Sequence, residues 1–263
     1  MRVVFISVIV LLASIFTIGL SLSRHKSEIV EQSTIAEVAS ENVAVGQPVL
    51  LELFTSEGCS SCPPADRLLT NLTDNPDIIA LEFHVDYWDR LGWKDPFSSP
   101  SYTRRQESYM RQLNLDSTYT PQMIVDGRYE FVGSNRAKAN ETITKSSAEQ
   151  KAAIDLNVRD GEVSLKIDGL KSHSDAVVFL AIAESKLSTK VGGGENSGST
   201  LEHSSVVRNL TSIGMIKKGV GSFTYEQPIT QNAGWKAQNI KYVAFVQETS
   251  SLKVLAVKQA AAK

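Results

Sequence analysis

Leu50-Leu51-Glu52-Leu53-Phe54-Thr55-Ser56-Glu57-Gly58-Cys59-Ser60-Ser61-Cys62-Pro63-Pro64-Ala65-Asp66 is the stretch on which the fold turns. Its first part, entered from Pro48-Val49, is an apolar run of the length of a buried strand. Its last part opens a helix. Proline suits a first helical turn because the N–H it lacks would be unpaired there, and Ala65, Leu68, Leu69 and Leu72 carry the apolar face onward. Between the two lie the only two cysteines of the chain, Cys59 and Cys62. A helix N-terminus stabilises a thiolate through its unpaired N–H groups and positive dipole end, so a C-x-x-C at this turn suits dithiol/disulfide chemistry. Cys59 is then the attacking sulfur and Cys62, one turn further in, the resolving one. Glu57 pulls the other way, because a carboxylate two residues from Cys59 disfavours the thiolate. A purely structural disulfide is the plain alternative.

The remaining composition is that of an ordinary soluble protein. A formal net charge of −2 over 263 residues gives no electrostatic case for nucleic acid. Arg2 precedes an uncharged stretch from Val3 to Ser23, rich in Val, Ile, Leu and Phe and ending at Ser21-Leu22-Ser23. A cleaved secretory signal and an uncleaved anchor of about 20 residues both fit residues 1–23. Either one exports the chain to the periplasm, the exterior or an outward-facing membrane surface, where the cysteines meet an oxidising compartment. Residues 24–47 are polar, have no sustained apolar face and read as a linker.

From Pro48 the elements follow in a telling order. After the first strand and the cysteine helix comes the β-rich run Ile78-Ile79-Ala80-Leu81-Glu82-Phe83-His84-Val85. Ser99 as N-cap and Pro100 at the first position begin a second helix that runs to Leu113. Gln122-Met123-Ile124-Val125, the turn Asp126-Gly127 and Tyr129-Glu130-Phe131-Val132 read as a hairpin, and a helix from about Asn135 to Ala152 closes the unit.

This order resembles the thioredoxin fold, with the cysteines at the start of its first helix. The resemblance narrows on three segments. They are Leu53 to Asp66 as quoted, Phe83-His84-Val85-Asp86-Tyr87-Trp88-Asp89, and Leu91-Gly92-Trp93-Lys94-Asp95-Pro96-Phe97. Together with Gly194-Glu195-Asn196-Ser197-Gly198, His203 and Val206-Val207-Arg208, they closely resemble a secreted bacterial family catalogued as domain of unknown function 1223 and regarded as thioredoxin-like. That family has no established substrate. The resemblance implies a cis bond at Thr120-Pro121 beside the dithiol, although X–Pro bonds in folded proteins are cis in only about 5–6% of cases. It also implies that the Thr120 backbone offers an extended edge to a substrate peptide, while Pro121 keeps metals and stray donors off the sulfurs.

The last hundred residues read as all-β. Ile154, Leu156 and Val158 alternate, Asp160-Gly161 turns, and Val163, Leu165 and Ile167 alternate again. Further strands are expected at Ala176 to Ala183, Gly221 to Tyr225, Ile240 to Gln247 and Leu252 to Val257. The fold class expected is therefore an α/β thioredoxin-like domain over 48–152, followed by a smaller all-β sandwich-like domain over 153–263.

Other residues are weighed beside the cysteines. His84 lies in an apolar strand and reads as a satisfied, partly buried histidine rather than a base or metal ligand. Tyr87 and Trp88 follow that strand where α/β sheets tend to place their sites, and are candidates for a substrate groove with Asp86 and Asp89. Arg104 and Arg105 read as a solvated helix face. Gly192 to Gly198 lacks the Gly-Lys-Ser/Thr ending of a phosphate loop and reads by default as a mobile loop between strands, the alternative being a loop that folds over the thioredoxin-like unit with Glu202 and His203. The function expected is an exported thiol-disulfide oxidoreductase. It acts on cysteine-containing proteins or a redox partner through Cys59 and Cys62, with Thr120, Pro121, Tyr87 and Trp88 lining the substrate site and no cofactor or metal required. The alternative is a non-catalytic binding protein on the same scaffold. In that reading the cysteines, joined by His84, hold a soft metal such as Cu(I), or the disulfide is structural and the β domain binds a partner.

Overall fold

The first strand, β1 (Val49–Thr55), is buried at every residue, which its unbroken apolar run predicts. The structure is a computed structural model and describes residues 46–261 apart from Ser172 and Gln231. The expected signal or anchor, and the linker up to residue 45, lie outside the described residues. Among the described residues no helix is long and apolar enough to cross a membrane.

After β1 come α1 (Pro63–Leu72), β2 (Ile78–His84), α2 (Pro100–Gln112), β3 (Gln122–Val125), β4 (Tyr129–Val132) and α3 (Arg136–Ser147). Ser99 caps α2 as expected, its Oγ accepting from the Ser101 amide, and Asn135 caps α3 through Lys138 N. Helix α3 stops at Ser147 rather than at Ala152. Then follow β5 (Ala153–Arg159), β6 (Glu162–Asp168), β7 (Ala176–Glu184), β8 (Leu187–Lys190), β9 (Thr200–His203), β10 (Val206–Ile216), β11 (Ser222–Pro228), β12 (Ile240–Glu248) and β13 (Val254–Ala261).

The division into two domains at 152/153 is corrected by the sheet. Eight strands form one sheet in the order β13-β12-β7-β10-β2-β1-β3-β4, and the described residues all fall in one compact unit. β10 joins β2 in parallel through one register pair, Val206 with Glu82, and the Glu82 amide donates to Ser205 O at 2.8 Å. A sandwich does exist, but one of its layers is this shared sheet. The other is β11-β6-β5, whose Leu156, Val158, Val163, Leu165 and Ile167 pack on Val178, Leu180 and Ile182 of β7 and Tyr242, Ala244 and Val246 of β12.

Period-two alternation assigns the faces. Leu50 and Phe54 of β1 share one core with Phe83, Ala181, Phe245 and the α2 residues Tyr102 and Tyr109. Leu51 and Leu53 point the other way, onto Leu68, Leu69 and Leu72 of α1 and Ile143 of α3. Arg105 departs from the expected solvated face. Arg104 is exposed, but Arg105 turns inward to a two-pronged ion pair with Glu52 of β1 and lies within 5.3–5.5 Å of the rings of Phe83, Tyr109, Phe179 and Phe245. Glu52 is itself fully buried, so the guanidinium supplies the charge that makes its burial tolerable.

Candidate functional site

Parallel β1 and β2 end side by side, Thr55 in register with His84, and the chain leaves both at the same edge of the sheet. Cys59 and Cys62 lie in the turn that follows β1 and are joined by a disulfide, with Cα atoms 5.5 Å apart. Cys62 is the N-cap of α1, and its carbonyl accepts from Ala65 and Asp66. Cys59 is a turn earlier, its amide bonded to Ser56 O. The helix dipole, which fades within its first turn, therefore acts more directly on Cys62 than on Cys59.

The antiparallel register of β1 with β3 sets Phe54 beside Gln122, bringing Thr120-Pro121 to this edge, and the Thr120-Pro121 peptide is cis. The Trp88 indole donates to Thr120 Oγ1 at 2.8 Å. A Cβ on Gly58 would come within 3.2 Å of Trp88 Cβ, so the indole residue also lies against the cysteine turn. Trp88 thus bridges Cys59's neighbour and Thr120, whereas burial pushes the Tyr87 phenol up to about 12. Asp86 and Asp89 hold local structure instead: Asp86 accepts from Thr103, and Asp89 from Ser98 Oγ and the Asp95 amide.

Both cysteines are fully buried. The 192–198 loop folds over this turn. Asn196 Nδ2 donates to the carbonyls of Glu57 and Cys59, each at 2.9 Å. Glu195 Oε2 accepts from the amide and hydroxyl of Ser60 at 3.0 and 2.7 Å, and those bonds hold its carboxyl below the usual range. Gly193 is needed for clearance, since a Cβ there would stand 2.3 Å from Gly92 O.

Behind the turn lies a buried polar group that the sequence reading only partly anticipated. Glu57 Oε2 accepts from the Trp93 indole at 2.8 Å, and Glu57 Oε1 lies 3.2 Å from His203 Nε2. Asp95 Oδ2 accepts from the Glu57 amide at 2.8 Å and lies 2.7 Å from His84 Nδ1. Burial would lower His84, but the Asp95 carboxylate outweighs it and raises the imidazole to about 9. For Asp95 the order is the same, burial opposing and His84 prevailing, and its carboxyl falls below the usual range. Asp66, hydrogen-bonded by Thr55 Oγ1 at 2.8 Å, is pushed up to about 7 by burial and then by the charge of Glu82.

His84 is satisfied at Nδ1 but not at Nε2. Among the described residues it groups with Glu82 and His203 as a potential ligand set, and neither cysteine belongs to that group. Glu82 was signalled by a charge inside a strand buried at every position, and Glu195 and Asn196 only by their place in a shared motif.

A search of curated proteins finds no match to this sequence. Among solved structures, a protein from Agrobacterium tumefaciens is 26% identical, with a TM-score of 0.69 over 84% of this chain and 96% of that one. HBP35 of Porphyromonas gingivalis shares the fold at 14% identity, with a TM-score of 0.60 over 83% of this chain and 76% of that one. The family model described as protein of unknown function (DUF1223) matches residues 50–247, a span that takes in the cysteine turn, Trp88, Asp95, the covering loop and His203. The chain belongs to the DUF1223 family.

Proposed function

We propose that this protein is an exported thiol-disulfide oxidoreductase built on a thioredoxin-like unit, with Cys59 and Cys62 as its redox pair. The observation that supports this reading is the placement of the disulfide at the turn from β1 into α1, with Trp88 spanning that turn and Thr120. In the oxidising direction a substrate thiolate attacks Cys59 Sγ, breaks the Cys59–Cys62 bond and leaves Cys62 as thiolate. A second substrate thiolate then attacks the substrate sulfur of the mixed disulfide and expels Cys59. The substrate loses two electrons and the pair gains them. In the reducing direction Cys59 attacks and Cys62 resolves. Thr120, Pro121, Tyr87 and Trp88 form the edge on which a cysteine-containing peptide lies. The apolar stretch Val3 to Ser23 supports export.

The full burial of both cysteines favours a second reading, a structural disulfide in an interaction module. Exchange therefore requires the 192–198 loop to leave the turn. Redox equilibration of the purified chain in thiol/disulfide buffers, with trapping of free thiols and mass counting, separates the two. A reversible two-electron transition between about −120 and −270 mV is expected, together with mixed disulfides through Cys59 in Cys62→Ala. A pair that stays oxidised below about −300 mV and traps nothing would assign the disulfide to structure.

A further inference from the structure

We propose that Glu82, His84 and His203 form a binding site for one first-row divalent transition-metal ion of the Zn(II) type, pinning the seam between β2 and the β9–β10 segment. Each of the three side chains has two polar atoms, and in each the structure fixes one and leaves the other without a hydrogen-bond partner. His84 Nδ1 is held by Asp95 Oδ2 at 2.7 Å, and Nε2 has no partner. His203 Nε2 is held by Glu57 Oε1 at 3.2 Å, and Nδ1 has no partner. Glu82 Oε1 accepts from the amide and hydroxyl of Ser204 at 3.2 and 2.9 Å, and Oε2 has no partner. The candidate ligand atoms of this trio lie within 4.8 Å of one another, with His203 Nδ1 and Glu82 Oε2 3.8 Å apart.

Three separately orphaned atoms facing one point are not what burial alone produces, because a buried polar atom without a partner costs about 1–3 kcal/mol. A cation would satisfy all three at once. Two imidazoles and a carboxylate match Zn(II) and its neighbours, and each imidazole already has the carboxylate on its far nitrogen that orients metal-bound histidines. Zn–N distances of about 2.0–2.1 Å put tetrahedral ligands about 3.3 Å apart, so side-chain adjustments of an ångström or so complete the set. The Phe97 ring lies edge-on to both imidazoles, at 5.4 and 5.6 Å, and shields one side. On another, His203 and Ser204 line a cavity of about 720 Å³ that also meets Glu202 and Lys241 and provides a way in.

The rival account is a proton shared within the trio, and it predicts no metal uptake. The test uses the full chain with the Cys59–Cys62 disulfide formed, stripped by a chelator and titrated with Co(II), then Zn(II). One Co(II) per chain is expected, with a ligand-field spectrum of nitrogen and oxygen donors, no sulfur-to-cobalt charge-transfer band, and displacement by Zn(II). Glu82→Gln and His203→Gln should abolish uptake, Asp95→Asn should weaken it by about 10–100-fold, and the double Cys59→Ser, Cys62→Ser variant should keep it. Absence of uptake by the unaltered chain overturns the proposal. So does uptake that survives Glu82→Gln and His203→Gln, or that vanishes with the cysteines. The titration of the unaltered chain decides the matter even where a buried variant does not fold.

Discussion

Asp66 stands one turn beyond Cys62, and its environment rather than its residue type sets its protonation. Burial, then the neighbouring Glu82 charge, pushes its carboxyl from 3.8 up to about 7. Between those two values the folded state holds a proton that the unfolded chain has lost. Stability therefore falls as pH rises through that window and levels off above it. A shift of this size corresponds to roughly 4 kcal/mol at most. In chelator-treated protein, urea unfolding at pH 5 and pH 6, below the range in which the raised His84 imidazole adds a slope of its own, should show the native state weaker at pH 6, and Asp66→Asn should flatten most of that slope. An unchanged slope in the variant would remove Asp66 as its source. Much at this scale was legible, including the cysteine pair, the Ser99 cap and the aromatic residue beside the turn. Arg105 was not, because adjacent arginines on a helix look alike until its partner Glu52, 53 residues away in sequence, is placed opposite one of them. His84 was half legible: its burial followed from the strand, but the orphaned Nε2 needed Glu82 and His203 in three dimensions.

Among the elements, the 192–198 loop governs access to the disulfide. Asn196 holds two carbonyls of the cysteine turn, and a typical net value near 1 kcal/mol for each bond makes their joint removal worth about a thirtyfold change in loop opening. Asn196→Ala should therefore speed reduction of the disulfide by dithiothreitol about thirtyfold. An unaltered reduction rate would mean that the loop is not the barrier. The hairpins were readable from period-two alternation and Asp-Gly turns. β10 was not, because its register with β7 shifts between Val207 and Asn209 and again between Ser212 and Gly214. Each bulge reverses which residues face the core, so no single alternation runs through its 11 residues.

Across the whole molecule, the seam between β2 and β10 decides how the chain unfolds. One core gathers Leu50 and Phe83 with Ala181 and Phe245, and the Glu52–Arg105 pair lies among rings from both halves of the sheet. Thermal unfolding should thus be a single transition, with far-UV signal and tryptophan fluorescence changing together. Two separated transitions would restore the two-domain division. That division was a fair reading of the sequence, since the change from α/β to all-β elements at Ala153 is real; pairing between strands distant in sequence leaves no local trace. The cover over the cysteine turn is also distant, with Ser60 and Glu195 135 residues apart. At about 5–20 residues per second of synthesis, the two cysteines emerge about 7–27 s before the residues that enclose them. In a newborn chain the cysteine turn is thus open to oxidants and isomerases before its partner loop exists, and in the folded protein it is reached again through the opening of that loop.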